Sequence, residues 1–474
     1  MSEVVLKEIP DNWVMGKVQD LITIRNGYAF KGKDFQDEVG APVIRQTNLS
    51  TDVVNFKKPK YLPLSFLDEH PGYRVVKGDV LIGLSGSIGN LSRYVEDQPA
   101  LQNQRTGLLL EQVPGATKFV QYYLQLIKKD LLDAAKGVAV QNISSKAIEN
   151  WAMPIAPPEQ QKRIVAKIEE LFSHIDAGIV ALKKSKQLLK QYRQSVLKAA
   201  VTGELTKQWR EDNKDKLEPA SQLLERILQE RRQKWETKQL EQFKAKGKVP
   251  KDDGWKGKYK EPDALDVIPS EALPGTWQWS ALGQVFEVFV GATPSRKKLE
   301  YWGGDINWVS SGEVAFCRIK NTKEKITEEG LNNTSTALHP PGTVMLGMIG
   351  EGKTRGQAAI LDIYAAHNQN TSAIEKCVEE QSTEFLYFYL MQQYELTRKR
   401  GSGNNQKALN KTRVQAIEFP LAPIGEQKII SELLSDKFTS IERMEDAIEI
   451  QLRKAEKNKQ SILSSAFSGR LTAR

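Results

Sequence analysis

The sequence predicts an α+β chain. Two mixed α/β domains are separated by two long antiparallel helices, paired as a coiled coil and related by a pseudo-two-fold internal repeat. Three observations carry this. Markers recur at a fixed offset of 266: Pro157 and Pro423, Gln161 and Gln427, Phe172 and Phe438, Ile175 and Ile441, Gly203 and Gly469, Thr206 and Thr472. Apolar residues recur every seven positions through both marked stretches, at Ile168, Ile175, Leu182, Leu189 and Val196, then at Leu434, Ile441, Ile448, Ala455 and Ile462. Short apolar runs beside glycines, Val80-Leu81-Ile82 and Val344-Met345-Leu346, read as buried strands at matched places. A gap-free offset gives two helices of one length, which suggests a ruler holding two things a set distance apart.

Taken in order, each half opens alike, with Ile9-Pro10-Asp11-Asn12-Trp13 and Leu273-Pro274-Gly275-Thr276-Trp277. Gly27 pairs with Gly291, Lys77-Gly78-Asp79-Val80-Leu81 with Pro341-Gly342-Thr343-Val344-Met345, and Asn103-Gln104-Arg105-Thr106 with Asn368-Gln369-Asn370-Thr371. Lys118 to Lys136 and Glu384 to Arg400 read as amphipathic helices. Sequence identity outside these markers is low, so the fold is duplicated while the surface has diverged. The resulting boundaries are a first domain over 1–156, a first spacer helix over 157–206, a charged linker with a short helix over 207–272, a second domain over 273–421 and a second spacer helix over 422–474.

The first long helix runs from about Pro158 to Val201, or about 65 Å at 1.5 Å per residue. Pro158 suits a first turn, Glu159 complements the helix dipole, and Gly203 supplies the stop. Heptads sustained this long argue for a coiled coil; the alternative is a helix lying on a globular core. Leu171, Tyr192, Met444 and Leu452 partly fill the other seam, and His174 reads as interfacial. In the linker, Leu223, Leu224, Ile227 and Leu228 suggest the short helix, and Lys244 to Lys260 reads as loose.

The chain has 474 residues and a formal charge of +9. That charge suits a polyanion partner and equally a solvated basic surface. Cys317 and Cys377 are its only cysteines, which suits a reducing cytosol and gives no metal-type pair. No apolar signal core opens the chain and no run of 18 apolar residues crosses a membrane.

Catalytic motifs are missing. Gly347-Met348-Ile349-Gly350-Glu351-Gly352-Lys353-Thr354 fits the G-x-x-x-x-G-K-[ST] phosphate-loop pattern. It needs a helix after it, yet Arg355-Gly356-Gln357-Ala358-Ala359-Ile360 is short and glycine-broken, and the aligned Gly83 to Asn90 lacks Lys and Thr. It reads as a glycine-rich turn whose Lys353 and Arg355 could touch DNA phosphate. His70, His174, His339 and His367 show no metal-ligand spacing. Methylation, serine-hydrolase and dinucleotide motifs are absent.

Binding chemistry is better represented, because Arg and Lys suit guanine edges while Asn and Gln suit adenine. The first domain offers Lys31, Lys33, Arg45, Gln46, Asn48, Asn103, Gln104, Arg105, Gln141 and Asn142. The second offers Arg296, Lys297, Lys298, Ser310, Ser311, Asn368, Gln369, Asn370, Lys399, Arg400, Asn404, Asn405, Gln406 and Lys407. Any single one of these is more readily a solvated side chain; their recurrence at matched loops makes the group informative.

Together the paired Pro-x-x-Trp starts, the Gly78-Asp79-Val80-Leu81 strand, the Pro-x-x-x-Gln helix entries and the Gly203-Glu204-Leu205-Thr206 and Gly469-Arg470-Leu471-Thr472 ends resemble the specificity subunit of type I restriction–modification systems over nearly the whole chain. Gly342-Thr343 and Arg470 depart from the pattern at packing positions. The resemblance implies two target-recognition domains, each reading half of a split DNA site, and two antiparallel spacer helices. It also implies docking of two modification (methyltransferase) subunits and two restriction (motor-nuclease) subunits. Those partners would hold the S-adenosylmethionine, ATP and magnesium, leaving this chain without a cofactor, metal or catalytic residue of its own. Antiparallel helices would present the two readers to a duplex in the same way, about one turn apart. Because the readers differ, so should the half-sites. Lys183, Lys184, Lys186 and Lys190 are candidate docking surface or merely a solvated face. Competing readings are a stand-alone nuclease or methyltransferase and a coiled-coil scaffold that binds no DNA.

Overall fold

The structure, a computed structural model, describes residues 9–50, 52–57, 59–135, 142–350, 352–399 and 408–472. The chain divides into two compact units. Unit one takes the chain up to Ser185 together with Ala447 onward, and unit two takes Lys186–Asp446.

In unit one, β1 (Val14–Lys17) pairs antiparallel with β10 (Ala152–Ile155). One four-stranded sheet has the order β2 (Ile22–Asn26), β9 (Thr106–Glu111), β6 (Val80–Gly83), β7 (Leu91–Arg93). A second has the order β4 (Tyr61–Leu62), β3 (Ala41–Ile44), β8 (Ala100–Gln102), β5 (Arg74–Val75), with β3 and β8 parallel. All four residues of β6 are buried, as its unbroken apolar run predicts.

Unit two repeats this plan. β11 (Gln278–Ala281) pairs with β20 (Glu418–Leu421). A five-stranded sheet runs β12 (Phe286–Val290), β19 (Thr371–Lys376), β16 (Val344–Gly347), β17 (Ala358–Leu361), β14 (Cys317–Ile319). A three-stranded sheet runs β15 (Glu324–Ile326), β13 (Trp302–Val309), β18 (Ala365–His367), with β13 and β18 parallel. Even small details recur: the isolated parallel bridge Val53–Arg93 in unit one lies where β14 pairs with β17 in unit two.

The sequence markers turn out to be joints. Gln161 and Gln427 are buried, and each side-chain amide donates to the carbonyl just before its helix, on Ala156 (2.8 Å) and Ala422 (2.7 Å). Trp13 Nε1 donates to Gln160 at 3.1 Å within unit one, and Trp277 Nε1 to Glu426 at 2.7 Å within unit two. Gly203 and Gly469 end their helices at φ +74° and +76°. An added Cβ would sit 2.4 Å from Pro274 at the first and 2.2 Å from Pro10 at the second. Each helix end is thus packed on the start of the other half.

The two long helices span Pro158–Val201 and Ile424–Phe467, 44 residues each. Within unit one, Lys459 pairs with Asp176 (2.5 Å) and lies 5.0 Å over the Phe172 ring, while Ile164, Ile168, Leu463 and Phe467 share its core. Within unit two, Arg193 lies 4.6 Å over Phe438 and faces Glu442 and Glu445, while Val196, Leu197, Ile430 and Leu434 share its core. Arg193 and Lys459, like Phe172 and Phe438, are 266 apart, so the repeat builds one contact twice. Ile168, Val196, Leu434, Ile441 and Ile448 are buried; Ile175, Leu182, Leu189, Ala455 and Ile462 are half-buried.

Several expectations need correction. Tyr192 and Met444 stand 48% and 53% exposed, and His174 is exposed, because the second row of contacts runs through Phe172, Ile179 and Arg193 and through Phe438, Glu445 and Lys459; Leu171 and Leu452 are half-buried. The helices expected over Lys118–Lys136 and Glu384–Arg400 each break in two, as Thr117–Leu126 with Lys128–Ala134 and Thr383–Gln392 with Tyr394–Lys399. Thr383–Gln392 is buried on nearly every side rather than amphipathic. The linker helix is not short; it spans Ala220–Ala245. Leu223, Leu224 and Ile227 enter the core, Arg231 and Lys234 donate to the Phe286 and Cys377 carbonyls, and Lys244–Lys260 folds back onto it instead of hanging loose.

Candidate nucleic-acid interface

In each unit the polar loops predicted to read bases leave the carboxyl ends of a parallel strand pair. In unit one Arg45-Gln46 follows β3 and Asn103-Gln104-Arg105 follows β8. Asn103 N–H donates to the Ile44 carbonyl at 3.0 Å, so the two loops lie side by side. The turn after β6 joins them: Leu84 N–H donates to the Arg105 carbonyl at 3.0 Å, Ser87 Oγ to the Gln46 carbonyl at 2.9 Å, and Ser85 bridges to Asn142. Arg45, Gln46, Asn103, Gln104, Arg105 and Asn142 therefore share one edge. Gln104, Arg105 and Asn142 are exposed, and Arg105 holds φ +67°, a left-handed conformation unusual for a non-glycine residue. Lys31 and Lys33 are exposed around the turn Gly32–Asp34. Asn48 is buried instead: it accepts from Arg45 N–H (2.9 Å) and donates to the Asn55 carbonyl (2.8 Å), holding the loop's shape.

Unit two builds the same edge with other side chains. Ser310-Ser311 follows β13 and Asn368-Gln369-Asn370 follows β18, tied by Asn368 N–H to the Val309 carbonyl at 3.0 Å. Met348 N–H donates to the Asn370 carbonyl at 2.9 Å, bringing in the turn after β16. Glu313 takes the part of Asn48, accepting from Ser310 N–H (2.8 Å) and Oγ (2.7 Å). Gln369 is exposed and Asn370 half-buried, whereas Asn368 is buried and spends its side-chain oxygen on Asn370 N–H (3.0 Å). Gly27 and Gly291 are needed because a Cβ would lie 2.0 Å from the Asn103 or His367 carbonyl oxygen.

The remaining candidates separate. Arg296 stacks 3.7 Å over Trp302 and is forked onto Glu324, which it holds below the usual carboxylate range. Lys298 donates to Tyr301 Oη at 2.8 Å, leaving Lys297 exposed. Lys353 is exposed, but Arg355 is 7% exposed, inside the domain. The glycine loop around Lys353 returns straight into β17, without a helix whose N-terminal amides could face phosphate. Gln141, Arg400, Asn404, Asn405, Gln406 and Lys407 lie outside the described residues, and the side chain of Lys399 is likewise not described. Beneath the unit-two edge, His367 is fully buried against His339, with ring centroids 4.9 Å apart; burial pushes its pKa down to about 3.

The family described as "Type I restriction modification DNA specificity domain" matches the chain twice, over residues 10–187 and 274–454. The chain belongs to this family.

Among relatives, the specificity subunit of the type I restriction enzyme EcoBI of Escherichia coli is 31% identical over 43% of this chain and 41% of its own length. The EcoDI specificity subunit of Escherichia coli is 23% identical over 83% of this chain and 78% of its own. For EcoBI and for the EcoAI subunit, of which 34% is covered, the match spans less than half of the relative. In fold the chain is similar to one solved in work on complex assembly and conformational transition of the type I R-M system (TM-score 0.67, 15% identity, 98% of this chain and 99% of that one). It also resembles the HsdS subunit from Thermoanaerobacter tengcongensis (TM-score 0.51, 15% identity, 98% of each chain). Both specificity domains thus carry a candidate reading edge. The edge of the first also holds Tyr28, which polar-residue reasoning missed. It is 39% exposed, its N–H donates to the Gln102 carbonyl (3.0 Å), and its ring packs 4.6 Å from His70. Its place directly after the Gly27 marker was the available signal.

Proposed function

We propose that this chain is the DNA sequence-specificity subunit of a type I restriction–modification complex. It reads a bipartite, asymmetric duplex target, one half through each recognition domain (1–156 and 273–421), and the spacer helices (157–206 and 422–474) set the gap. It is not itself an enzyme. Two modification subunits and two restriction subunits dock on it in the cytoplasm and supply the S-adenosylmethionine, ATP and magnesium chemistry. Among the described residues no helix is long and apolar enough to cross a membrane.

One observation carries the reading: the same loop edge is made twice from unlike side chains. Arg45, Gln46, Gln104 and Arg105 occupy the first, and Ser310, Ser311, Gln369 and Asn370 the second. Arginine suits guanine O6 and N7, and amides suit adenine, so one frame can read two sequences. Lys31, Lys33, Lys297 and Lys353 suit phosphates, which position the protein without reading sequence.

The test is to profile methylated bases genome-wide in a host carrying this chain and its partners. The expected result is one split motif with unlike halves. Cleavage or methylation of DNA by the purified chain alone, with magnesium, ATP and methyl donor, would overturn the reading. So would a complete absence of salt-sensitive DNA binding alongside the modification subunit.

A further inference from the structure

The stretch between the two matched domains is not a plain connector. Residues 231–260 carry eleven Lys or Arg against four Asp or Glu, a net +7 of the chain's +9. The linker helix carries this stretch out past Lys234, and its return segment is pinned by aromatic rings. Trp235 stacks on Trp255 (centroids 5.9 Å, planes 26° apart), Tyr259 packs on Trp235 at 5.4 Å and Phe243 on Trp255 at 6.1 Å. Lys256 lies over Trp255 and Arg232 over Tyr259. The result is an ordered hairpin. Lys238, Lys244, Lys246, Lys248, Lys251, Lys258 and Lys260 are exposed on it, and none forms an ion pair among the described residues.

We propose that this hairpin is a second DNA-binding surface, one that holds duplex phosphates without reading sequence. Its chemistry chooses the ligand. Protein-binding patches are depleted of lysine and built around apolar or aromatic anchors, whereas here the rings are spent on one another and seven exposed lysines outweigh the exposed Glu241, Asp252 and Asp253, with Leu240 and Val249 as isolated apolar side chains. Lysine is a mobile point charge that suits phosphate wherever it lies, unlike the planar fork of arginine that suits fixed geometry. Position agrees with a separate role. The hairpin is rooted at the Phe286 and Cys377 end of the β12–β19 pair, while the reading loops lie at the Val290 and Ser372 end. It therefore engages a part of the duplex other than the base edges being read. DNA is the polyanion at hand because the inference rests on the DNA-recognition reading above.

The test compares the full chain with a K244Q/K246Q/K248Q/K251Q variant on a duplex of scrambled sequence, at 50–200 mM NaCl as a working range. These four lysines lie outside the aromatic cluster, so tryptophan fluorescence should be unchanged. If all four neutralise phosphates, the slope of log K against log salt falls by about 3.6, so over that fourfold salt rise the wild type loses roughly 150-fold more affinity than the variant. Preference for the methylation-defined target over the scrambled duplex should survive in the variant. An unchanged salt slope overturns the inference while leaving target recognition intact, whereas loss of target preference by the wild type would instead sink the earlier reading. A response seen only on phosphatidylserine vesicles, or only in co-purification of a protein partner, also overturns it.

Discussion

Glu426→Ala should be among the most damaging single substitutions in unit two. The carboxylate has no solvent exposure and serves three donors: Trp277 Nε1 at 2.7 Å, Thr206 Oγ1 at 2.6 Å and the Arg210 guanidinium. It joins the end of the first long helix, the first turn of the second and the Pro-x-x-Trp start of the second domain. The Arg210 side chain is only 12% exposed, so removing its partner strands a buried charge, at a cost of roughly 3–5 kcal/mol. For a domain of roughly 150–250 residues each kcal/mol is about 2–4 °C, so the melting temperature of this unit should fall by about 6–20 °C. The duplicate supplies the control. Gln160 occupies the matching position in unit one, is half-buried, and accepts only neutral bonds from Trp13 Nε1 (3.1 Å) and Asn12 Nδ2 (3.2 Å). Gln160→Ala should cost about 1–2 kcal/mol. An Arg210→Met, Glu426→Leu double substitution should recover much of the loss, because matched apolar groups replace a buried pair at little cost. Calorimetry of the full chain resolves these values. The reasoning is refuted if Glu426→Ala costs no more than Gln160→Ala, or if the double variant is no better than Glu426→Ala.

Other outcomes follow from the same geometry. Unit two should lose stability as pH falls from the ordinary histidine range near 6.5 toward about 3, because unfolding lets His367 take a proton that its buried site refuses. The slope contributed is at most about 1.4 kcal/mol per pH unit, and His367→Gln should flatten it in acid denaturation curves even if it lowers stability overall. Arg105→Ala or Gln104→Ala should relax one base-pair preference in one half-site by about 1–3 kcal/mol, measured by competition binding, with little change in melting. Asn48→Ala should do the reverse, lowering stability without relaxing specificity, since its bonds hold the loop. Deleting one heptad from both long helices removes about 10 Å of spacer. At about 3.4 Å per base pair the methylated motif should keep both halves and lose about three base pairs of gap.

The repeated skeleton was legible because its markers are joints with one physical solution. Gln161 and Gln427 must cap the strand entering the helix, and Gly203 and Gly469 must turn left-handed beneath a proline, so neither can drift. The linker was misread for the opposite reason. Its aliphatic run stops at Leu228, and the rest of the helix is held by partners distant in sequence, Trp255, Tyr259 and the Cys377 carbonyl, which no local pattern contains. The helix Thr383–Gln392 defied an amphipathic reading because it lies inside its domain, where no polar face is required.

Polar loop residues were the hardest to assign, because turn-holding and base-reading use the same side chains. Asn48 and Asn103 are both asparagines beside a strand end; one is buried in its own turn, and the other is half-buried at the edge, where its Oδ1 accepts from Gln104 N–H at 2.7 Å. The duplication does carry a discriminating signal. A side chain that braces a loop must keep its hydrogen-bonding role in both copies, as Asn48 and Glu313 do, each accepting from the N–H three residues earlier. A side chain that reads a target has no such obligation, and Gln46 against Ser311 or Arg105 against Asn370 shows the freedom expected there. Within a duplicated fold, matched bonding chemistry marks the frame and unmatched chemistry on the shared edge marks what the frame is for. Exchanging Arg45-Gln46 for Ser-Ser should therefore change the half-site read by unit one and leave its melting temperature nearly unmoved. A large loss of stability instead would place those residues in the frame.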